Sequence, residues 1–398
     1  MKKNIQFHFI NTLKQTLDEV LQKGYHADRM IDKYVRANKW SREERQLFAD
    51  SIYYILRHKR LLEFLAGSED LLKVIAVYFI QKSYKLPPRP EFVGISEGSI
   101  NNNLQKEKPR AIECSLPDWL DQLGQKEFGE RWLSLAKALT DEPRLYIRAN
   151  TLKTDRRSLQ QRLKKEGIAT EEKVSLEIEV PQALEVKERK NIFITDSYRE
   201  GQFEVQDIGS QFIAPLLEVQ AGMNVIDACA GSGGKTLHIA ALMQNKGSVL
   251  AMDIMGYKLK DLQARADKAG CQILKTQLID SPKVIQKLKN TADRVLLDVP
   301  CSGLGVLKRN PDSKWKMNLE QVDELVQTQR KILVDYTEMC KPNGLVVYST
   351  CSLLHRENEE QIQWFLNKTS KWKLLNQYRV WPDTNVSDGF YAAVLKKL

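Results

Sequence analysis

Histidine is scarce, five residues in 398, and the six cysteines stand apart at positions 114, 229, 271, 301, 340 and 351 with no C-x-x-C pair. That spacing excludes the usual zinc sites, which need close pairs of ligands, so no metal is expected. Long apolar runs are also missing. The longest, Leu71 to Ile80, contains Lys73 and falls far short of the roughly 20 residues that cross a bilayer. The opening stretch, MKKNIQFHFINTLKQTL, carries an early lysine pair, but Gln6, His8, Asn11 and Lys14 break up any signal-peptide core. A cytoplasmic chain with no membrane partner is expected, and in that compartment its cysteines should be free thiols. Cys271 and Cys340 read as small buried apolar side chains. Internal repeats and low-complexity tracts are absent, which removes the solenoid and disordered classes.

Acidic residues are in deficit: 61 Lys and Arg face 51 Asp and Glu, a net charge of +10. The pI near 9.1 points to a polyanionic partner, nucleic acid or an acidic membrane surface. Residues 1–64 hold 13 basic against 8 acidic side chains, a net +5 and half of the excess, on what reads as helix. There Ser41 and Glu44 form a capping box, and Phe48, Ile52, Ile55 and Leu56 recur at helical spacing. The length calls for two or three domains.

Three are expected: an all-helical domain over 1–140, a small α/β module over 141–206, and a doubly wound α/β domain over 207–398. Prolines 87, 88, 90, 109 and 117 with Asn101-Asn-Asn103 suggest a long loop over 86–117, after which Pro117 suits a first helical turn. In the module, strands are expected at 145–149, 177–180 and 191–194 and a helix at 158–166. Beyond Asp207, strand-like runs at 224–228, 249–253, 274–278, 294–298 and 344–349 alternate with helical stretches beginning near Lys235, Tyr257, Pro282, Leu319 and Glu357. That alternation implies a mostly parallel sheet covered on both faces, with the tail 389–395 pairing antiparallel at an edge.

Two stretches carry chemistry. The first is Asn224-Val-Ile-Asp-Ala-Cys-Ala-Gly-Ser-Gly-Gly-Lys-Thr236, a strand, a glycine turn and a helix start. A Walker loop fails because Cys229 stands where its first glycine belongs. A dinucleotide fingerprint fails because Thr236 occupies its last glycine position. An S-adenosylmethionine site remains: Cys229, Ala230, Gly231, Ser232, Gly233, Gly234 and Lys235 would pack against the ligand. Asp253, at the end of the next strand, would accept both ribose hydroxyl protons. Asp280, after the third strand, would accept from the adenine amino group.

The second is Asp298-Val-Pro-Cys-Ser-Gly-Leu-Gly305, answered about fifty residues later by Tyr348-Ser-Thr-Cys-Ser352. Each follows an apolar strand-like run. Neighbouring parallel strands would bring Asp298, Cys301 and Cys351 into one cleft, where open α/β sheets place their chemistry.

With these residues in view the chain resembles the RNA 5-methylcytosine methyltransferases of the Rsm, Nop and Sun family. The resemblance rests on Asp227 to Thr236, on Asp298-Val-Pro-Cys-Ser-Gly303 with Arg309-Asn-Pro-Asp312 and Trp315, and on Ser349-Thr-Cys-Ser352 with Glu357-Asn358. Arg148-Ala-Asn-Thr-Leu-Lys153, Val205-Gln-Asp207 with Ser210-Gln211, and Asp388-Gly-Phe390 extend it over about residues 144–398. The amino-terminal helices, around Arg45 to Phe64, look like the NusB-like RNA-binding domain of the bacterial 16S rRNA members. The chain departs from the family pattern at Gly231-Ser232, where Ala-Pro is usual, and at Val299, where Ala is usual. A Rossmann-like class I methyltransferase domain is therefore implied over 207–398, with an RNA-recognition module before it.

Carbon 5 of cytosine is a poor nucleophile, so methylation there needs a temporary bond at carbon 6, and a thiolate suits that attack. Spacing alone would let Cys301 attack, as the Pro-Cys thiol does in DNA cytosine methyltransferases. By resemblance, the Thr350-Cys351 context makes Cys351 the nucleophile and gives Cys301 a part in release. Asp298 should hold the nitrogen 3 and amino edge of the base, and the resemblance also places it near the cofactor; Lys235, at the helix start, is expected to contact both the cofactor end and this carboxylate. Lys308, Arg309, Lys314 and Lys316 beside Trp315 are suited to holding RNA around a flipped base. The implied substrate is RNA, 16S rRNA before tRNA, with no DNA partner and a monomeric chain. The rival from another class is a non-catalytic RNA-binding or ribosome-assembly factor on the same fold.

Overall fold

The computed structural model describes residues 3–172, 180–188, 190–384 and 387–398. The chain forms two compact units, Met1–Glu142 with Leu307–Leu319, and Pro143–Val306 with Glu320–Leu398. The expected α/β module and doubly wound domain thus share one unit.

The first unit is built on helices α1 (Phe7–Gln22), α2 (Ala27–Ala37), α3 (Arg42–Ala66) and α4 (Leu71–Gln81). The α3 start follows from its sequence. The Ser41 hydroxyl accepts from Glu44 N at 3.2 Å, and the Glu44 carboxylate accepts from Ser41 N at 2.8 Å. The stripe Phe48, Ile52, Ile55 and Leu56 is fully buried and meets Phe9, Leu13, Val74 and Val77 in one core. Each such side chain contributes roughly 1.5–3 kcal/mol.

The long loop expected over 86–117 is instead punctuated by helix. A 3₁₀ turn, Pro90–Phe92, precedes helices at Glu97–Leu104 and Arg110–Glu113. Asn101 to Asn103 are helical because Ser96 caps the turn before them, accepting from Ser99 N at 3.1 Å, and because Ile100 reaches the core. A local cap plus one buried anchor outweighs the poor helix propensity of three asparagines.

Leu307–Leu319 corrects a second expectation. Helix α3 leaves helical geometry at His58 (φ −114°, ψ 22°), and the groups released there are satisfied from elsewhere in the unit. Arg60 N donates to Ser115 Oγ at 2.8 Å, the Leu56 carbonyl accepts from Trp315 Nε1 at 2.7 Å, and the Arg57 carbonyl accepts from Lys314 Nζ at 2.8 Å. Arg57 in turn donates to the Lys308 carbonyl at 2.7 Å. Lys308 and Lys314 are only 4% and 2% exposed, and Lys316 donates to the Tyr25 carbonyl at 2.7 Å. Burial pushes the Lys314 ammonium well below the ordinary lysine range, and the Arg57 charge adds to that. These lysines were expected to grip RNA phosphates; they brace the helical unit instead. Arg309 is half-buried on the same segment.

In the second unit a four-stranded antiparallel sheet orders as Thr170–Glu171, Ala183–Val186, Leu145–Ala149 and Phe203–Val205. Helix Arg156–Lys165 packs on it through Leu159 and Leu163. The expected strand at 191–194 is a 3₁₀ turn, Ile192–Ile194, in which Asn191 accepts from Phe193 N and only Ile192 is buried. The strand expected at 177–180 falls, except for Val180, outside the described residues.

The main sheet has seven strands: β1 (Asn224–Asp227), β2 (Ser248–Asp253), β3 (Leu274–Leu278), β4 (Ala292–Asp298), β5 (Cys340–Thr350), β6 (Trp372–Val380) and β7 (Phe390–Lys397). Their order is β6-β7-β5-β4-β1-β2-β3. Pairing is parallel from β5 through to β3, while β7 runs antiparallel to β5 and β6. This is the doubly wound sheet expected from the alternation, with one change: β6 takes the edge and β7 lies inside it. Val295, Leu296 and Leu297 of β4 and Val346, Val347 and Tyr348 of β5 are fully buried, as parallel strands covered on both faces require. The winding direction reverses between β4 and β1, which opens a crevice at their carboxyl ends. No described helix is long and apolar enough to cross a membrane.

Candidate active site

The glycine turn after β1 leads into helix α5 (Gly234–Leu242). Gly233 has φ +88°, and a Cβ there would lie 1.8 Å from Leu262 Cδ1, so only glycine lets turn and helix meet. Gly231 has φ +54° with open space on its Cβ side, which leaves room for a ligand against the backbone. Asp253, ending β2, ties the turn to the sheet: one carboxylate oxygen accepts from Gly231 N at 2.9 Å and the other from Met255 N at 2.8 Å. Each oxygen keeps a lone pair for a further donor. Cys229, Ala230 and Ser232 lie on the same turn, and Asp280 is exposed after β3.

Strands β4 and β5 pair in the register Asp298 to Ser349, so the loops that follow them leave the sheet side by side. The Cys301 and Cys351 sulfurs lie 3.3 Å apart. The close approach depends on Gly305, whose N–H donates to the Cys351 carbonyl at 2.8 Å and whose carbonyl accepts from Gly389 N at 2.8 Å. Asp298 accepts from Lys235 Nζ at 2.6 Å and from Ser349 Oγ at 2.7 Å. The structure thus joins Lys235, Asp298, Cys301 and Cys351, the four residues singled out for chemistry.

Their electrostatics differ. Burial alone would lower the Lys235 ammonium, but the charge and hydrogen bond of Asp298 outweigh it and hold the lysine above its ordinary value. The Cys301 thiol is pushed well up, first by its contact with Cys351 and then by burial. Two sulfurs this close cannot both ionise cheaply, so one proton stays with the pair. Cys229 is likewise pushed up, by burial, and remains a thiol. Asp227, 1% exposed at the end of β1, is raised by burial to about 7.

Three features escaped the sequence. Ile254 and Met255, directly after Asp253, are 67% and 40% exposed, an apolar surface beside the glycine turn. Arg265 holds the turn from outside, donating to the Ser232 carbonyl at 2.5 Å and pairing with Glu204 at 2.6 Å. Arg148, buried in the module, donates to the Gly234 carbonyl at 2.9 Å. Only Arg148 gave a signal, an arginine inside an apolar strand pattern.

The model of the 16S rRNA methyltransferase RsmB/F family matches residues 214–396, and that of an RsmF/B-like ferredoxin-like domain matches residues 116–192. A probable ribosomal RNA small subunit methyltransferase B of Synechocystis is 28% identical over 96% of this chain and 97% of its own length. The ribosomal RNA small subunit methyltransferase B of Pasteurella multocida is 30% identical over 77% of this chain and 72% of its own. Among solved structures, a methyltransferase homolog protein from Pyrococcus horikoshii superposes with a TM-score of 0.64 at 26% identity, over 73% of this chain and 98% of that one.

Proposed function

The chain belongs to the RsmB/F family of 16S rRNA methyltransferases and is an S-adenosylmethionine-dependent RNA methyltransferase; from that premise we propose that it methylates carbon 5 of a cytosine in small-subunit rRNA through a covalent bond to Cys351. The observation that carries this reading is the pair of sulfurs 3.3 Å apart at the ends of adjacent parallel strands. A methyltransferase acting on a nucleophilic substrate atom needs no thiol, whereas carbon 5 of cytosine needs one to attack and some group to take up its proton.

The residues around the glycine turn fit the cofactor. Gly231 leaves open space for it, Asp253 keeps acceptor capacity for ribose hydroxyls, and Ile254 and Met255 offer an apolar face to the adenine, with Asp280 nearby as acceptor. When bound, S-adenosylmethionine supplies the electrophilic methyl group.

Cys351 attacks carbon 6, the thiolate being the nucleophilic form of the group, beside a Cys301 thiol that is pushed up by that contact and by burial. Asp298 accepts from the cytosine amino group, and the Lys235 ammonium beside it offsets charge that develops on the ring. Once carbon 5 carries its methyl group, its proton must leave. That proton passes to water in the cleft, the carbon–sulfur pair of electrons returns to Cys351, and Cys301, 3.3 Å from that sulfur, assists the release. The base has to be unstacked to reach this cleft, which is easiest in a loop or single strand. The basic excess of residues 1–64 supports phosphate contact by the helical unit, read as NusB-like, rather than by Lys308 or Lys314.

The test is direct. Cys351→Ala is expected to abolish methyl transfer, whereas Cys301→Ala permits attack and accumulates a protein–RNA adduct that survives a denaturing gel. An adduct from Cys351→Ala instead would exchange the two roles. Bisulfite sequencing of RNA from cells lacking the protein should lose a methylated cytosine in 16S rRNA, and an unchanged map would overturn the reading.

A further inference from the structure

One buried carboxylate touches the flanks of both cysteines. Glu357, fully buried, accepts four hydrogen bonds, all from neutral donors. Its Oε1 accepts from Ser302 N at 2.8 Å and Gln329 Nε2 at 3.0 Å; its Oε2 accepts from Ser302 Oγ at 2.5 Å and from Ser352 Oγ. Ser302 follows Cys301, and Ser352 follows Cys351. The residues on the other side of each sulfur are held as well. Gln329 Nε2 also donates to the Pro300 carbonyl at 3.0 Å, and Asn358 accepts from Thr350 Oγ1 at 2.6 Å while donating to the Ser352 carbonyl at 2.9 Å. Tyr348 OH, two residues before Thr350 on β5, donates to the Glu357 carbonyl at 2.7 Å and fixes the carboxylate's own backbone to that strand.

We propose that Glu357 is the positioning residue of this site: its carboxylate clamps the Pro-Cys and Thr-Cys loops to each other and so sets the separation of the two sulfurs. Burying a carboxylate among neutral donors is costly, and four directed bonds are what compensates it. A pair of loops held only by their own turns has no such constraint. None of the four bonds involves a sulfur, so Glu357 acts on Cys301 and Cys351 by setting their geometry, while its charge also helps to raise the Cys301 thiol. The inference rests on the paired-sulfur reading above, and its test has a readout that needs no RNA.

That readout is the rate at which diamide crosslinks Cys301 to Cys351 in the folded full-length protein, followed by mass spectrometry of the joined peptides. The azo bond of diamide takes up the two protons and two electrons that the thiols release, so the rate reports how often the sulfurs meet. Glu357→Ala is expected to slow crosslinking by about tenfold or more and to lower kcat by about 100-fold, with KM for RNA within about threefold, because misplaced reacting groups cost rate rather than binding. Glu357→Gln keeps an acceptor for Ser302 N and Gln329, and its amide can donate to hydroxyls that turn to accept. It should stay within about tenfold of wild type in both measurements.

If Glu357→Ala crosslinks at the wild-type rate, or Glu357→Gln is as impaired as Glu357→Ala, the clamp is overturned. Should Glu357→Ala fail to fold, Ser302→Ala and Ser352→Ala each remove one arm, and crosslinking unchanged in both overturns it equally. A wild-type chain that never crosslinks overturns the paired-sulfur reading and the clamp with it, whereas normal crosslinking with an unaltered cytosine map overturns the reaction and leaves the clamp standing.

Discussion

Asp227 shows how much one buried group can impose on the whole chain. Its Oδ2 accepts from Thr236 at 2.6 Å, and burial, helped by the Asp298 charge, raises its pKa from 3.8 to about 7 against the pull of that bond, of the Lys235 ammonium and of the Cys229 backbone. A carboxyl with a raised folded-state pKa holds a proton that the unfolded chain has already lost. Its contribution is therefore complete below about pH 4 and declines as pH rises to about 7, by up to about 4 kcal/mol. Urea unfolding of the cofactor-free protein at pH 5 and pH 8 checks this. Relative to wild type, Asp227→Asn should gain more than about 1 kcal/mol between the two pH values. Parallel pH slopes for the two proteins would mean that Asp227 is not held neutral. At this scale the sequence is unevenly legible. Asp298, Cys301 and Cys351 can be placed because each closes an apolar run, and strand ends converge by geometry. Lys314 cannot, since its burial is made by a helix 257 positions earlier.

Among the elements, those specified by local rules were legible and those specified by distant partners were not. The capping box of α3 and the strands of the parallel sheet follow from near neighbours in sequence. The break at His58 does not, because the groups that satisfy it come from Ser115, Lys314 and Trp315. Strand β6 was missed because Lys373, Asn376 and Gln377 are exposed and blur its alternation. The loops after β4 and β5 make the sharpest demand. A Cβ on Gly305 would stand 2.3 Å from the Gly389 carbonyl oxygen and 2.7 Å from that of Cys351, and backbone on both sides leaves no flexible atom to yield. Gly305→Ala must push the loops apart. It is expected to cost about 1–3 kcal/mol in stability and to reduce methyl transfer by about 100-fold, read by thermal melting and by kcat. Activity within twofold of wild type would show that the loops tolerate the displacement.

For the molecule as a whole, the alternation of strand and helix reveals the doubly wound sheet, but no periodicity reveals that Leu307–Leu319 folds with the first 142 residues. Thirteen consecutive positions that continue directly from the Pro-Cys loop have their partners in the helical unit: Arg57 for the Lys308 carbonyl, the Arg57 carbonyl for Lys314, and the Leu56 carbonyl for Trp315. Removing residues 1–142 would leave Leu307, 1% exposed in the intact chain, and the Trp315 ring without cover, and would strand donors that now have acceptors. A fragment of residues 143–398 is therefore expected to aggregate on its own. Supplying residues 1–142 as a separate chain should recover it in soluble form, with the two fragments co-eluting on size exclusion, because the thirteen-residue segment carries enough directed contacts to recruit its helices. A monodisperse fragment 143–398 with wild-type kcat would show that the segment needs no helices and that the amino-terminal unit does not complete its fold.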